Sequence, residues 1–150
     1  MPREPLGVLV VTLLVGRSLE DTLTLVAYRL AAVEALGLAL HLRERWGAKP
    51  SMQILFGGTL VVDGNGSAFF NPVLEAGIVH ARALLEFLGL AMSKKDGRLV
   101  GRSRPREPDD VGIEHFSGAS GPLSLVQPSQ ATARWPGGAV EAEQALLSIF

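Results

Sequence analysis

Leu6–Val15, LGVLVVTLLV, is a continuously apolar block near the start of the chain. Its length and flanks predict a buried strand or a short helix, and its valines lean toward strand. Downstream the pattern becomes periodic. Leu19, Leu23, Val26, Leu30, Val33 and Leu40 recur at alternating spacings of four and three, which places them on one face of a helix. Leu25, Ala32, Leu36 and Ala39 widen that face enough for two neighbours. Ser18 with Asp21 marks the start in the manner of a capping box. Arg43 and Arg45 suit the negative end of the dipole, and Gly47 followed by Pro50 stops the helix, which is therefore predicted over 18–46.

Periodicity is lost over 51–70. Gln53–Phe56 and Thr59–Val62 are short apolar runs around Gly57-Gly58, followed by the turn chemistry of Asp63-Gly64-Asn65-Gly66. A small hairpin near 53–62 and an irregular crossover fit equally well. Asp63, Asn65 and Ser67 imitate the opening ligands of a calcium loop. However, Ala68 stands at the sharp-turn glycine position and Leu74 at the bidentate acid position, so a turn is the better reading.

A second helix is predicted over 72–95, with Asn71 as its cap and Pro72 in its first turn. Leu74, Ile78, Ala81, Leu85, Leu88 and Met92 form its stripe, and Leu30, Leu74, Ile78, Leu85 and Leu88 are expected in a common core. Glu75, Arg82 and Glu86 share the opposite face, and His80 lies on the flank. Lys94, Lys95 and Gly97 close it. Residues 97–112 read as a basic loop carrying Arg98, Arg102, Arg104 and Arg106 between prolines. With Lys94 and Lys95 they form a cationic cluster able to meet phosphates, but no aromatic is interleaved to stack bases, so a solvated, solvent-facing linker is the better reading. Asp110 is expected to cap a short helix reaching Phe116. The last helix begins near Gly138 and continues to Phe150, where its apolar pattern stops without a polar cap. Either that end is buried, or the domain continues in a further C-terminal segment.

Composition narrows the chemistry. The 150 residues suit one helical domain, and 47% hydrophobic with 19% charged residues argues against global disorder. A net charge of −1 gives no general pull toward nucleic acid or an anionic membrane. There is no cysteine, hence no disulfide, thiolate ligand or thiol nucleophile. The apolar N-terminal run is too short to span a bilayer, so no membrane partner is expected and a cytoplasmic setting is favoured. Neither a GxxxxGK[ST] loop nor a GxSxG elbow occurs. Glu114 and His115 beside Asp109 and Asp110 are better read as a solvent-facing acidic element than as a metal site. No metal and no cofactor are expected.

The segment His80-Ala81-Arg82-Ala83-Leu84-Leu85-Glu86-Phe87-Leu88, then Asp109-Asp110-Val111 and Phe116, then Pro122-Leu123-Ser124, resembles a bacterial group within the HEPN superfamily of helical domains. The likeness covers about residues 70–150. It implies a mainly α helical bundle, pairing through terminal helices, and, in active members, metal-independent RNA cleavage by an arginine and a histidine four to six residues apart on the last helix. That motif is absent: no arginine here is followed by histidine at such a spacing, and the last helix carries Glu141, Glu143 and Gln144. His80 and Arg82 are weak catalytic candidates, since positions i and i+2 point to different helix faces. The leading expectation is a non-catalytic interaction or accessory domain. It would be a homo-oligomer joined near Leu146, Leu147, Ile149 and Phe150, with room for another protein partner. The rival expectations are an RNase or toxin whose catalytic segment lies beyond residue 150 or in a partner, and an RNA binder using Arg98, Arg102, Arg104 and Arg106.

Overall fold

The computed structural model describes residues 6–47, 49–107 and 110–150. About half of the chain is helical, in four helices among the described residues, and the rest includes three small antiparallel strand pairs. The fold is therefore mixed α and β rather than a helical bundle alone. It divides into two compact units, one of Arg29–Arg82 and one of Ala83–Phe150 with the N-terminal part of the first helix.

That first helix, α1, runs Leu6–Trp46. It includes Leu6–Val15, against the strand leaning of its valines. A strand must find a neighbour for its backbone groups, whereas a helix satisfies them within the segment, and the Leu/Ala-rich stretch that follows extends the same helix backwards. At about 1.5 Å per residue, 41 residues make a rod about 60 Å long. Its predicted stop is observed: Gly47 adopts φ 83° and donates its N–H to the Arg43 carbonyl at 2.8 Å.

In the Arg29–Arg82 unit, strands β1 (Ser51–Phe56) and β2 (Thr59–Asn65) form the hairpin that the turn chemistry allows. Gly57 and Gly58, with φ 56° and 82°, supply the two positive angles that its tight turn requires. Ile54 faces Val62 and Leu55 faces Leu60, so Val61 is an extra, unopposed residue that bulges β2. Helix α2 (Ser67–Phe87) starts five residues before the predicted first helical position, Pro72. The Asn65 side-chain oxygen accepts from the Ser67 N–H at 2.7 Å and from the Ser67 hydroxyl, which begins the helix there and leaves Pro72 inside it.

The expected leucine core is not what holds this region. Leu30 and Ile78 are exposed, and Leu74, Leu85 and Leu88 are only half-buried. Small residues mediate the close contact instead. Ala39, Gly77 and Ala81 are buried with Phe70, and Leu36 of α1 lies so near Gly77 of α2 that a methyl group there would collide with its Cβ. Large side chains cannot converge where two backbones approach this closely.

In the other unit, α2 ends at Phe87 rather than near 95, because Gly89 turns the chain at φ 89° and lies against Leu125. Residues 90–101, predicted as helix end and loop, instead hold the pair β3 (Leu90–Met92) and β4 (Leu99–Gly101). Leu90 and Leu99 are buried there. The Gly89 carbonyl accepts from Arg102 N–H at 2.7 Å and the Leu88 carbonyl from Val126 N–H at 2.9 Å, so later segments satisfy the helix end. Next come a short 3-10 turn (Ile113–His115), the two-residue strands β5 (Ser117–Gly118) and β6 (Gly121–Pro122), α3 (Pro128–Thr132) and α4 (Ala139–Leu147). Ala142 of α4 is fully buried, and α4 contacts both α3 and β4.

Candidate functional site

Two features of the Ala83–Phe150 unit bear the charge chemistry of the sequence. The first centres on Arg106, whose side chain is 5% exposed. Its Nε donates to Glu114 Oε1 at 2.7 Å, and its Nη1 pairs with Asp110 Oδ2 at 3.2 Å. Its Nη2 donates to the Glu86 and Phe87 carbonyls at 3.0 and 2.9 Å. The guanidinium fork thus bridges two carboxylates and the carbonyl end of α2, where positive charge is favoured by the helix dipole. The spacing Arg106, Asp110, Glu114 was the available signal for this node. Gly112 leaves room for it, because any Cβ there would run into the guanidinium.

Burial lowers the Arg106 pKa, but its hydrogen bonds and Coulombic attraction to Glu114 and Asp110 carry it above the ordinary value. Burial likewise raises the Glu114 pKa. Its bond from Arg106, a backbone bond, and attraction to Arg106 and His115 outweigh that and hold the carboxyl below its usual range. Asp110 therefore serves Arg106, and Arg102 at 3.3 Å, rather than capping a helix. Gly112 precedes the 3-10 turn, and its N–H donates to His115 Nδ1 at 3.0 Å. Asp109 lies outside the described residues. No group of three or more His, Asp or Glu able to hold a metal occurs among the described residues.

The second feature is an open groove of about 920 Å³ beside β3 and β4. Lys94, Lys95, Arg102 and Arg104 line it with the hydroxyl residues Ser93 and Ser103. Among the described residues, no carboxylate pairs with Lys94, Lys95 or Arg104. Arg98 stands at the other side of the hairpin, 3.6 Å from Glu143, which also accepts from the Leu99 N–H at 3.0 Å. Of the arginines in the basic loop, Arg106 turns inward, Arg98 and Arg102 are paired, and Arg104 remains in the groove.

The remaining candidates are scattered. His80 is half-buried and Arg82 exposed on α2. Leu146, Leu147, Ile149 and Phe150 are half-buried at the end of α4. What the sequence did not single out is the apolar surface of the Arg29–Arg82 unit. Leu38, Leu40, Leu55, Phe56, Leu60 and Val79 are each about half exposed or more. Within α1, the stretch Leu19–Trp46 has a window of mean hydropathy 1.7 that is only 6% buried, and by length and composition it is able to cross a membrane. Set against protein-family models, curated proteins and solved structures, the chain matches none.

Proposed function

We propose that this chain is a non-catalytic helical interaction module, HEPN-like in its second half and cytoplasmic, which works by covering the apolar surface of its Arg29–Arg82 unit with protein. The observation that carries this is the exposure of Leu38, Leu40, Leu55, Phe56, Leu60 and Val79 in a unit of 54 residues. Large apolar side chains left this exposed in so small a unit supply the kind of surface that partners cover. Cleavage is left out of this reading, because no arginine–histidine pair has the spacing that a general base and a phosphate-stabilising cation would need. A photo-crosslinking residue at Val79, 64% exposed, tests it in cells. Protein adducts are expected. Adducts confined to RNA or lipid, or RNA cleavage by the purified chain that His80→Ala abolishes without unfolding, would overturn it.

A specific observation favours a second reading. The groove of Lys94, Lys95, Arg102 and Arg104 supports binding of a phosphate backbone without base readout, because cations are present and stacking aromatics are not. Binding of this kind weakens steeply with salt. Lys94→Glu, Lys95→Glu should abolish it, and affinity that ignores added salt would refute it.

A further inference from the structure

The Arg29–Arg82 unit carries both a knob and a hole. The knob is the tip of the β1–β2 hairpin. Phe56 is 71% exposed there, beside Leu55, Leu60 and Val61, and no charged residue occurs from Ser51 to Val62. The hole is a small apolar cup of about 210 Å³ at the base of the same hairpin. Its walls are Leu42 and Trp46 from the end of α1, Pro50 and Met52 from the start of β1, and Phe69 and Phe70 from the start of α2. Gly66 closes the floor, where a Cβ would press on Pro50 and Phe70. The Phe69 and Phe70 rings meet edge to face at 5.7 Å, and Trp46 remains 57% exposed at the rim.

We propose that the Phe56 ring of one copy of this chain seats in the cup of a second copy. This rests on the interaction-module reading and names its partner. Size fits: an apolar cavity of about 150 Å³ is known to hold benzene, so a cup of about 210 Å³ has room for a benzyl side chain. Chemistry fits as well: Leu42, Met52, Phe69 and Phe70 bring no charge or side-chain donor into the cup, while the Trp46 indole N–H and the Arg45 guanidinium, 5.9 Å over the Trp46 ring, belong to the half-exposed rim. Reach excludes the alternative within one chain. The cup is lined at the Ser51–Met52 end of β1 and Phe56 is at the other, about 17 Å away at strand rise, so the tip cannot fold back into its own cup. Two copies exchanging knobs make a closed pair with two identical contacts, the commonest symmetry of soluble oligomers.

Phe56→Ser and Trp46→Ser test this on the full chain, with circular dichroism confirming that these exposed changes leave the fold intact. Sedimentation of the unaltered chain at tens of micromolar should show a dimer, and each single variant should dissociate at least tenfold more readily. Mixing the two variants is the decisive arm. Phe56→Ser keeps its cup and Trp46→Ser keeps its knob, so the mixture should form a hetero-pair, joined by one complete contact, more tightly than either variant pairs with itself. A monomeric unaltered chain, or a dimer indifferent to Phe56→Ser, would overturn the proposal. So would binding to phosphatidylglycerol vesicles that requires Phe56 in a chain that stays monomeric, which would assign the knob to lipid. A foreign protein crosslinked at Val79 together with a monomeric chain would remove the self-docking proposal and leave the interaction-module reading standing.

Discussion

Replacing Arg106 with Met keeps much of its stem volume and deletes its fork, which isolates the electrostatic contribution of the node. Four acceptors lose a donor: the carboxylates of Glu114 and Asp110 and the carbonyls of Glu86 and Phe87, of which Asp110 keeps Arg102 and the Glu86 carbonyl keeps the Gly89 N–H. Breaking a buried ion pair by removing one partner costs about 3–5 kcal/mol, and a stranded buried acceptor costs about 1–3 kcal/mol. These do not simply add. The Glu114 and Asp110 side chains are 28% and 40% exposed, so water relieves part of their loss. Glu114 Oε2, however, is buried without a partner already, which leaves that carboxylate dependent on the Arg106 bond to its other oxygen. We expect Arg106→Met to cost about 3–4 kcal/mol and Arg106→Lys about half as much, since an ammonium restores charge without the planar reach. Urea unfolding followed by Trp135 fluorescence in a Trp46→Phe background reads the unit that contains the node. A loss below about 1 kcal/mol for Arg106→Met would refute the view that the fork holds this region together.

Two further outcomes follow from the geometry. Gly77→Ala should destabilise the Arg29–Arg82 unit by about 1–3 kcal/mol by thermal melting, because the added methyl meets the Cβ of Leu36, an atom that no rotamer can move; an unchanged melt would show that the helices are not in close contact. The Glu114 carboxyl has a folded pKa below its ordinary 4.5, so the stability it contributes is fully present above pH 4.5 and is lost as pH falls through the folded value. Acid titration of unfolding free energy should therefore decline below pH 4.5 less steeply in Glu114→Gln than in the unaltered chain, and identical curves would contradict the assignment.

The residues that announced themselves were those whose chemistry acts locally. Gly57-Gly58 and the Asp63–Gly66 turn mark a hairpin, Gly47 stops a helix and Gly138 precedes one, because each effect is complete within a few residues. The misjudged positions depend on distant partners. Pro72 looks like a first-turn proline until Asn65 is seen to start the helix earlier. Leu90 and Leu99 continue or follow a helical pattern by spacing, yet pair as strands once Gly89 has turned the chain. Arg106 was read as a member of a solvent-facing basic loop, and nothing local distinguishes it from Arg104. Only the carboxylates at 110 and 114 and the helix end at 86–87 do so. The apolar surface of the hairpin and α1 was likewise hidden, since apolar periodicity reports which residues avoid water and not what covers them.

The Arg106 contacts with the end of α2 also set an order of events during synthesis. The carbonyls of Glu86 and Phe87 leave the ribosome before the arginine that accompanies them, and Glu114, which holds that arginine, comes 27 residues after Phe87. At about 5–20 residues per second this interval lasts about one to five seconds. Throughout it the Phe87 carbonyl lacks its arginine donor and the Glu86 carbonyl keeps only the local Gly89 N–H, and the segment that becomes β3 and β4 is free of its later neighbours. The latch on the end of α2 accordingly closes only after Arg106 and Glu114 have emerged. Slow translation between codons 88 and 114 prolongs exposure of the Leu84–Leu90 stretch, and a stall there leaves the nascent chain with an unlatched helix.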